Sequence, residues 1–199
     1  MDWRILYNPL AVLGKGNGII AAVIVVVILT AVAYWGGVHL DGALDLHINP
    51  QFPSLALAAI ESLSAWLSLG LLLFAASKVF GGNGGIGAHL ASAGLSRFPY
   101  ILAAIISSRP VLGNLMLKGV EFKAGQIVID PQALMLPAII AGGLAIVGLC
   151  IWAVAMLYMG YKESSRLTGG KATVSFIVGL VLAEVISKLI VVLAFNAGI

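Results

Sequence analysis

The sequence predicts an all-α fold, a polytopic integral membrane bundle of five transmembrane helices forming one domain over 1–199, with a small β-hairpin in the loop 108–135. Three observations predict it. Hydrophobic residues make up 61% of the chain, charged residues only 10%, and the mean hydropathy is +1.09, a balance that water-soluble domains do not keep. Long apolar runs recur at 19–38, 55–77, 136–161 and 174–195, with a shorter one at 95–107; a helix needs ~20 such residues to cross a bilayer. Backbone polar groups in hydrocarbon must bond within their own segment, so runs of this length are helical.

Residues 1–18 form a cytosolic or interfacial N-terminus. Asn8 and Pro9 pair a capping side chain with a first-turn proline, and Gly14 ends the short apolar turn that follows. Trp3, Leu6, Tyr7, Leu10 and Leu13 share one face, which suits a segment resting on the membrane surface; an undocked leader is the competing reading. The first run also resembles a signal peptide, with Arg4 and Lys15 as its basic region and Ala31-Val32-Ala33 as a cleavage site. Its spanning length and the interfacial pair Tyr34-Trp35 favour a retained helix.

The stretch GGVHLDGALDLHINPQFPS is a turn-rich loop, closed by Ser54 as the cap of the second span. In the loop 108–135, VEFKAGQIVIDP alternates in polarity and turns at Ala124-Gly125, which predicts the hairpin. Asp130 and Pro131 repeat the cap-plus-proline signal before the fourth span. If 95–107 crosses, Arg4, Lys15, Lys78, Arg97, Lys162, Arg166 and Lys171 share one face, against Arg109, Lys118 and Lys123 on the other. A four-span arrangement gives an equally uneven division, so the count of basic residues does not choose. The apolarity of PYILAAII favours five spans, with a helix that continues past Arg109-Pro110, the N-terminus cytosolic and the C-terminus outside.

Several chemistries are excluded. Gly82, Gly84 and Gly87 spell the dinucleotide pattern G-x-G-x-x-G, but they follow a membrane span, and Ser107, Ser108 and Arg109 stand where a ribose-binding carboxylate belongs. The glycines Gly81, Gly82, Gly84, Gly85 and Gly87 therefore read as a flexible cytosolic turn. His39, Asp41, Asp45 and His47 are metal-ligating residue types, but their spacing matches no metal motif and they read as a solvated loop. His89 reads as a surface residue, and Cys150 is the single cysteine, which excludes an intrachain disulfide. No catalytic set, cofactor or metal site is visible, and the basic residues orient helices without forming a nucleotide or nucleic-acid surface.

Glu61, Glu184 and Lys188 are ionisable residues inside spans, where insertion costs roughly 2.5 to 3.5 kcal/mol each and demands partners. Glu61 shares a stripe with Ser64 and Ser68, and its depth matches that of Lys188, so a Glu61–Lys188 contact is expected. Ser175, Gly179, Ala183 and Ser187 form a ridge of small side chains that admits close helix approach. The ridge lies roughly 140° around the helix from Glu184 and Lys188, which predicts a central fifth helix packed on two neighbours. The remaining sector, Val178, Val181, Leu182, Val185, Leu189 and Val192, suits lipid.

The segments LYNPLAVLGK, KVFGGNGGIGAHLASAGLSRFPYIL and WAVAMLYMGYKESSRLTGGKATVSF resemble those of the Yip1-domain family of membrane proteins. The resemblance implies a five-helix membrane domain with a cytosolic N-terminus. Eukaryotic members carry D-L-Y-G-P, which Leu6, Tyr7 and Pro9 match and Ile5 and Asn8 do not. Their link to Rab GTPases runs through longer N-terminal regions, so the resemblance implies instead a short prokaryotic member of the plasma membrane. Two functions stay open. One is a non-catalytic scaffold or accessory subunit contacting lipid, other membrane proteins or copies of itself through the ridge and the loops at 81–87 and 162–171. The other is a small transporter, channel or lipid-moving protein using Glu61, Glu184 and Lys188.

Overall fold

In a computed structural model that describes residues 2–48, 54–114, 120–123, 126–129 and 136–198, the chain is a bundle of helices, five of them long and apolar enough to cross a membrane. A 3-10 turn, Trp3–Leu6, is capped by Asp2, whose carboxylate accepts from the Arg4 amide. Helix α1, Pro9–Gly36, starts as expected, with Asn8 Oδ1 accepting from the Ala11 amide and Pro9 in the first turn. Gly14, at φ +70 and ψ 173, is non-helical and ends the short first turn as expected, with the spanning part of α1 following from Gly16; Gly37, at φ +64, ends α1 in the left-handed region that glycine enters without strain. Trp152 in the fourth span donates to the Leu6 carbonyl at 2.6 Å, so the N-terminal turn docks on the bundle while Trp3 and Tyr7 remain exposed.

Two short strands, β1 (Val38–His39) and β2 (His47–Ile48), pair antiparallel within the loop that follows. Helix α2, Leu55–Val79, begins with Ser54 Oγ accepting from the Leu57 amide at 3.0 Å. The third span differs most from expectation. It runs from Ile86 to Leu112, 27 residues, as α3 (Ile86–Leu95), α4 (Phe98–Ser107) and a π turn over Arg109–Gly113. Its first half, IGAHLASAGL, reads as too small and polar to span because His89 and the residues from Ala91 to Leu95 are buried against protein, while Ile86 at its start stays exposed. Its most apolar stretch is 72% buried, the highest of the five spans.

Strands β3 (Val120–Lys123) and β4 (Gln126–Ile129) form the expected hairpin, in register Val120 with Ile129 and Lys123 with Gln126. Its turn residues and the Asp130-Pro131 signal lie outside the described residues. Helix α5, Leu136–Ser165, and helix α6, Gly169–Asn196, complete the bundle.

Helices in lipid associate through close packing, because the tails are as apolar as the side chains. Glycines mark the tightest crossings. A methyl on Gly94 would lie 2.5 Å from Ala22 Cβ of α1, and one on Gly179 of α6 would lie 2.8 Å from Leu73 Cδ2 of α2. The centre of the bundle is α2 with α3. Helix α6 packs chiefly on α2 and touches α5 only lightly, so it is an edge helix, not the central one expected. The cause is that its small-residue ridge meets α2 while its charged face meets the loop 37–48 described next instead of a second helix. The sector from Val178 to Val192 is exposed, as read from the sequence.

Candidate functional site

The loop between α1 and α2 reads as solvated, yet Val38, Leu40 and Ala43 are buried. It folds back into the bundle between α2 and α6, and the intramembrane carboxylates hold it there. Glu61, 1% exposed, accepts from His39 Nδ1–H at 2.7 Å and from the Leu40 amide at 2.9 Å. Glu184 accepts from the Leu44 amide at 2.7 Å, and the Tyr100 hydroxyl donates to the Leu44 carbonyl at 3.1 Å. Lys188 bridges Asp45 at 3.0 Å and Glu184 at 3.2 Å. Gly42 makes room for these last two: a methyl there would sit 2.5 Å from Glu184 Oε1. A buried amide without an acceptor costs about 1–3 kcal/mol, so each carboxylate removes a penalty that a loop at this depth incurs.

The expected Glu61–Lys188 contact is not made. Matching the two depths along straight helices left out a loop that enters between them and supplies nearer donors to Glu61. Ser64 and Ser68 are buried on α2 beside Glu61, but Ser64 Oγ donates to the Glu61 carbonyl of its own helix. The sequence-derived polar cluster is thus two separate anchors, Glu61 on α2 and Glu184 with Lys188 on α6. On the ridge, Ser175, Gly179, Ala183 and Ser187 are all buried, Gly179 faces Leu73 and Ala76 of α2, and Ser175 Oγ accepts from the Tyr161 hydroxyl at 2.6 Å. That surface is an internal contact.

Three of the four metal-ligating residue types converge, since ligand atoms of Asp41, Asp45 and His47 lie within 4.8 Å of one another. Each has a protein partner: His47 Nδ1 is 3.3 Å from Asp41, and Asp45 pairs with Lys188. His39 stacks on His47 but turns its Nδ1 to Glu61. A cavity of about 170 Å³ adjoins them, lined by His39, Asp41, His47, Glu61 and apolar side chains of α2 and α6.

The glycine-rich connection is a docking element. Gly81 turns at φ +88, the Gly82 amide donates to Ser77 and the Asn83 amide to Ser165 at the end of α5. A methyl on Gly82 would lie 2.9 Å from the Ser165 carbonyl oxygen, and one on Gly84 would overlap that of Ser164. Gly85 is the N-cap of α3 and Gly87 lies in its first turn. The Gly82 and Asn83 amides are therefore taken by protein carbonyls and are not free to cradle a phosphate.

Two basic side chains are misplaced by the sequence reading. His89 is buried between the rings of Phe74 and Tyr161, with Nδ1–H donating to the Gly85 carbonyl at 3.0 Å. Arg97 lies at the junction of α3 and α4, 2% exposed, well inside the third span. Its Nε, Nη1 and Nη2 have no hydrogen-bond partner among the described residues. The guanidinium rests over the Tyr100 ring at 4.9 Å, a contact worth about 2 kcal/mol when desolvated, whereas a buried ion costs several. Arg97 thus leaves the cytosolic face to which the sequence assigned it. The signal was available: SRFP interrupts two helical patterns that together make one spanning length.

A family model described as the Yip1 domain matches residues 11–191, nearly the whole membrane domain. The chain belongs to the Yip1-domain family. Neither curated proteins nor solved structures yield a match to this Yip1-domain chain. The family match spans the loop 37–48, both of its anchors and Arg97, so the site lies within the Yip1 domain itself.

Proposed function

We propose that this Yip1-domain protein is a non-catalytic scaffold or accessory subunit of a prokaryotic plasma membrane, with its N-terminus cytosolic, that holds other membrane proteins against its exposed helix faces. One observation carries the reading. The most apolar stretch of α5 is only 11% buried, and along it Leu136, Ile140, Leu144 and Val147 stand exposed at helical spacing. Gly143 and Gly148 lie on the same stretch with open space around them, which suits the close approach of a second helix. The ridge on α6, the other surface with that character, is already filled by α2.

Transport through Glu61, Glu184 and Lys188 is the competing reading. It loses support because those carboxylates are occupied by the protein's own backbone and by Lys188. A photo-reactive residue at Leu144, irradiated in the native membrane, is expected to give a discrete protein adduct, with only lipid adducts from Val181 on the exposed sector of α6. Lipid adducts alone at both positions would overturn the scaffold reading, and ion flux from reconstituted protein that disappears in Glu61→Gln would establish the transport reading.

A further inference from the structure

We infer that Arg97 is the receptor for the carboxylate of a single-chain amphiphile, a fatty acid, which enters from the bilayer between α4 and α5. The guanidinium is a fixed positive charge with its hydrogen-bonding fork unfilled, buried where water does not compete. Glu184, the acid that faces this part of the bundle, is held by the Leu44 amide and Lys188. An exogenous anion is the partner that the geometry still lacks.

Two cavities define which anion. The one on Arg97 is bounded by Ala43, Leu44, Leu69, Tyr100, Val154 and Leu157 and measures about 10 Å³, enough for one water-sized group. That space takes one oxygen of an anionic head, and the remaining oxygens meet the apolar walls of the adjoining cavity, which is less costly for the single one of a carboxylate than for the several of a phosphate. The second cavity, of about 280 Å³, shares Leu44, Tyr100 and Val154 with the first and adds Cys150 and Ile151. Its walls are almost wholly apolar, and Ile151 is exposed on the side of α5 that faces lipid. A small cell holding one guanidinium, adjoining an apolar space on the lipid side and sharing three of its wall residues, has the form of a head-and-tail site. Chloride would satisfy the charge but would leave the apolar cavity without a role.

The test uses the full-length protein, stripped of endogenous lipid in mild detergent and examined by native mass spectrometry and thermal melting with oleate, methyl oleate or sodium chloride. Oleate is expected to give a saturable one-to-one adduct and a higher melting temperature, and methyl oleate neither. Arg97→Leu should lose the adduct while melting, without ligand, no lower than the native protein, because an unpaired buried charge has been removed. Arg97→Lys should bind about tenfold more weakly, since a point charge replaces a planar fork. Ile151→Trp, at a lipid-facing position that the fold does not need, should close the tail cavity and weaken oleate alone, which keeps the test sound if Arg97→Leu fails to fold. Unchanged oleate binding in Arg97→Leu or in Ile151→Trp, equal binding of methyl oleate, or full stabilisation by chloride would each overturn the inference.

Discussion

Truncating Glu61 removes the acceptor of two donors at once, His39 Nδ1–H and the Leu40 amide, at a position only 1% exposed. Glu61→Ala is therefore expected to cost about 3–5 kcal/mol, measured by unfolding in mixed detergent, and Glu61→Gln less because its amide oxygen still accepts. Lys188→Ala should cost no more than about 1 kcal/mol, because its side chain is 44% exposed and its ion pairs are partly solvated. A double-mutant cycle between Glu61 and Lys188 should give a coupling below about 0.5 kcal/mol, the value for residues that share no partner. At this scale the sequence showed which residues need partners, since an ion inside a span has no solvent to fall back on. It did not show which partners they find. His39 and the amides of Leu40 and Leu44 belong to a loop whose glycines, aspartates and histidines look equally at home in water.

The caps at Asn8 and Ser54 and the hairpin of β3 and β4 follow local rules of hydrogen bonding and alternation, and the sequence places them correctly. The span formed by α3 and α4 obeys a different rule. Its environment is protein, so small residues such as Ala91 and Gly94 serve it better than leucine, and a hydropathy window undervalues it for that reason. Glycines separate in the same way. Gly84→Ala sets a methyl against the Ser164 carbonyl and must push the α2–α3 connection off α5, at an expected cost of about 1–3 kcal/mol. Gly143→Ala meets open space and should change stability by less than about 0.5 kcal/mol. Melting both variants in one detergent checks the contrast, and equal losses would mean that the glycine turn is not docked.

Five helices are long and apolar enough to cross, and five crossings would place residues 2 and 198 on opposite sides of the membrane. With Arg97 withdrawn into the third span, Arg4, Lys15, Lys78, Lys162, Arg166 and Lys171 still gather on the side of the N-terminus, which favours a cytosolic start. In a Cys150→Ala background, a membrane-impermeant thiol reagent applied from outside should label Gly198→Cys and leave Asp2→Cys unlabelled. Labelling of both from one side would require an even number of crossings. The whole-molecule arrangement was legible wherever helices face lipid. It was lost where loop and helix cover each other, at 37–48 and 86–97. The anchoring of that first loop also bears on the order of synthesis. Leu44 leaves the ribosome 140 residues before Glu184, and Asp45 143 residues before Lys188. Until α6 inserts, the Leu44 amide and the Asp45 carboxylate lack the partners they have in the folded bundle. The loop thus closes as a latch only once α6 is in place, and a product cut short before α6 is expected to leave a gap between this loop and the bundle.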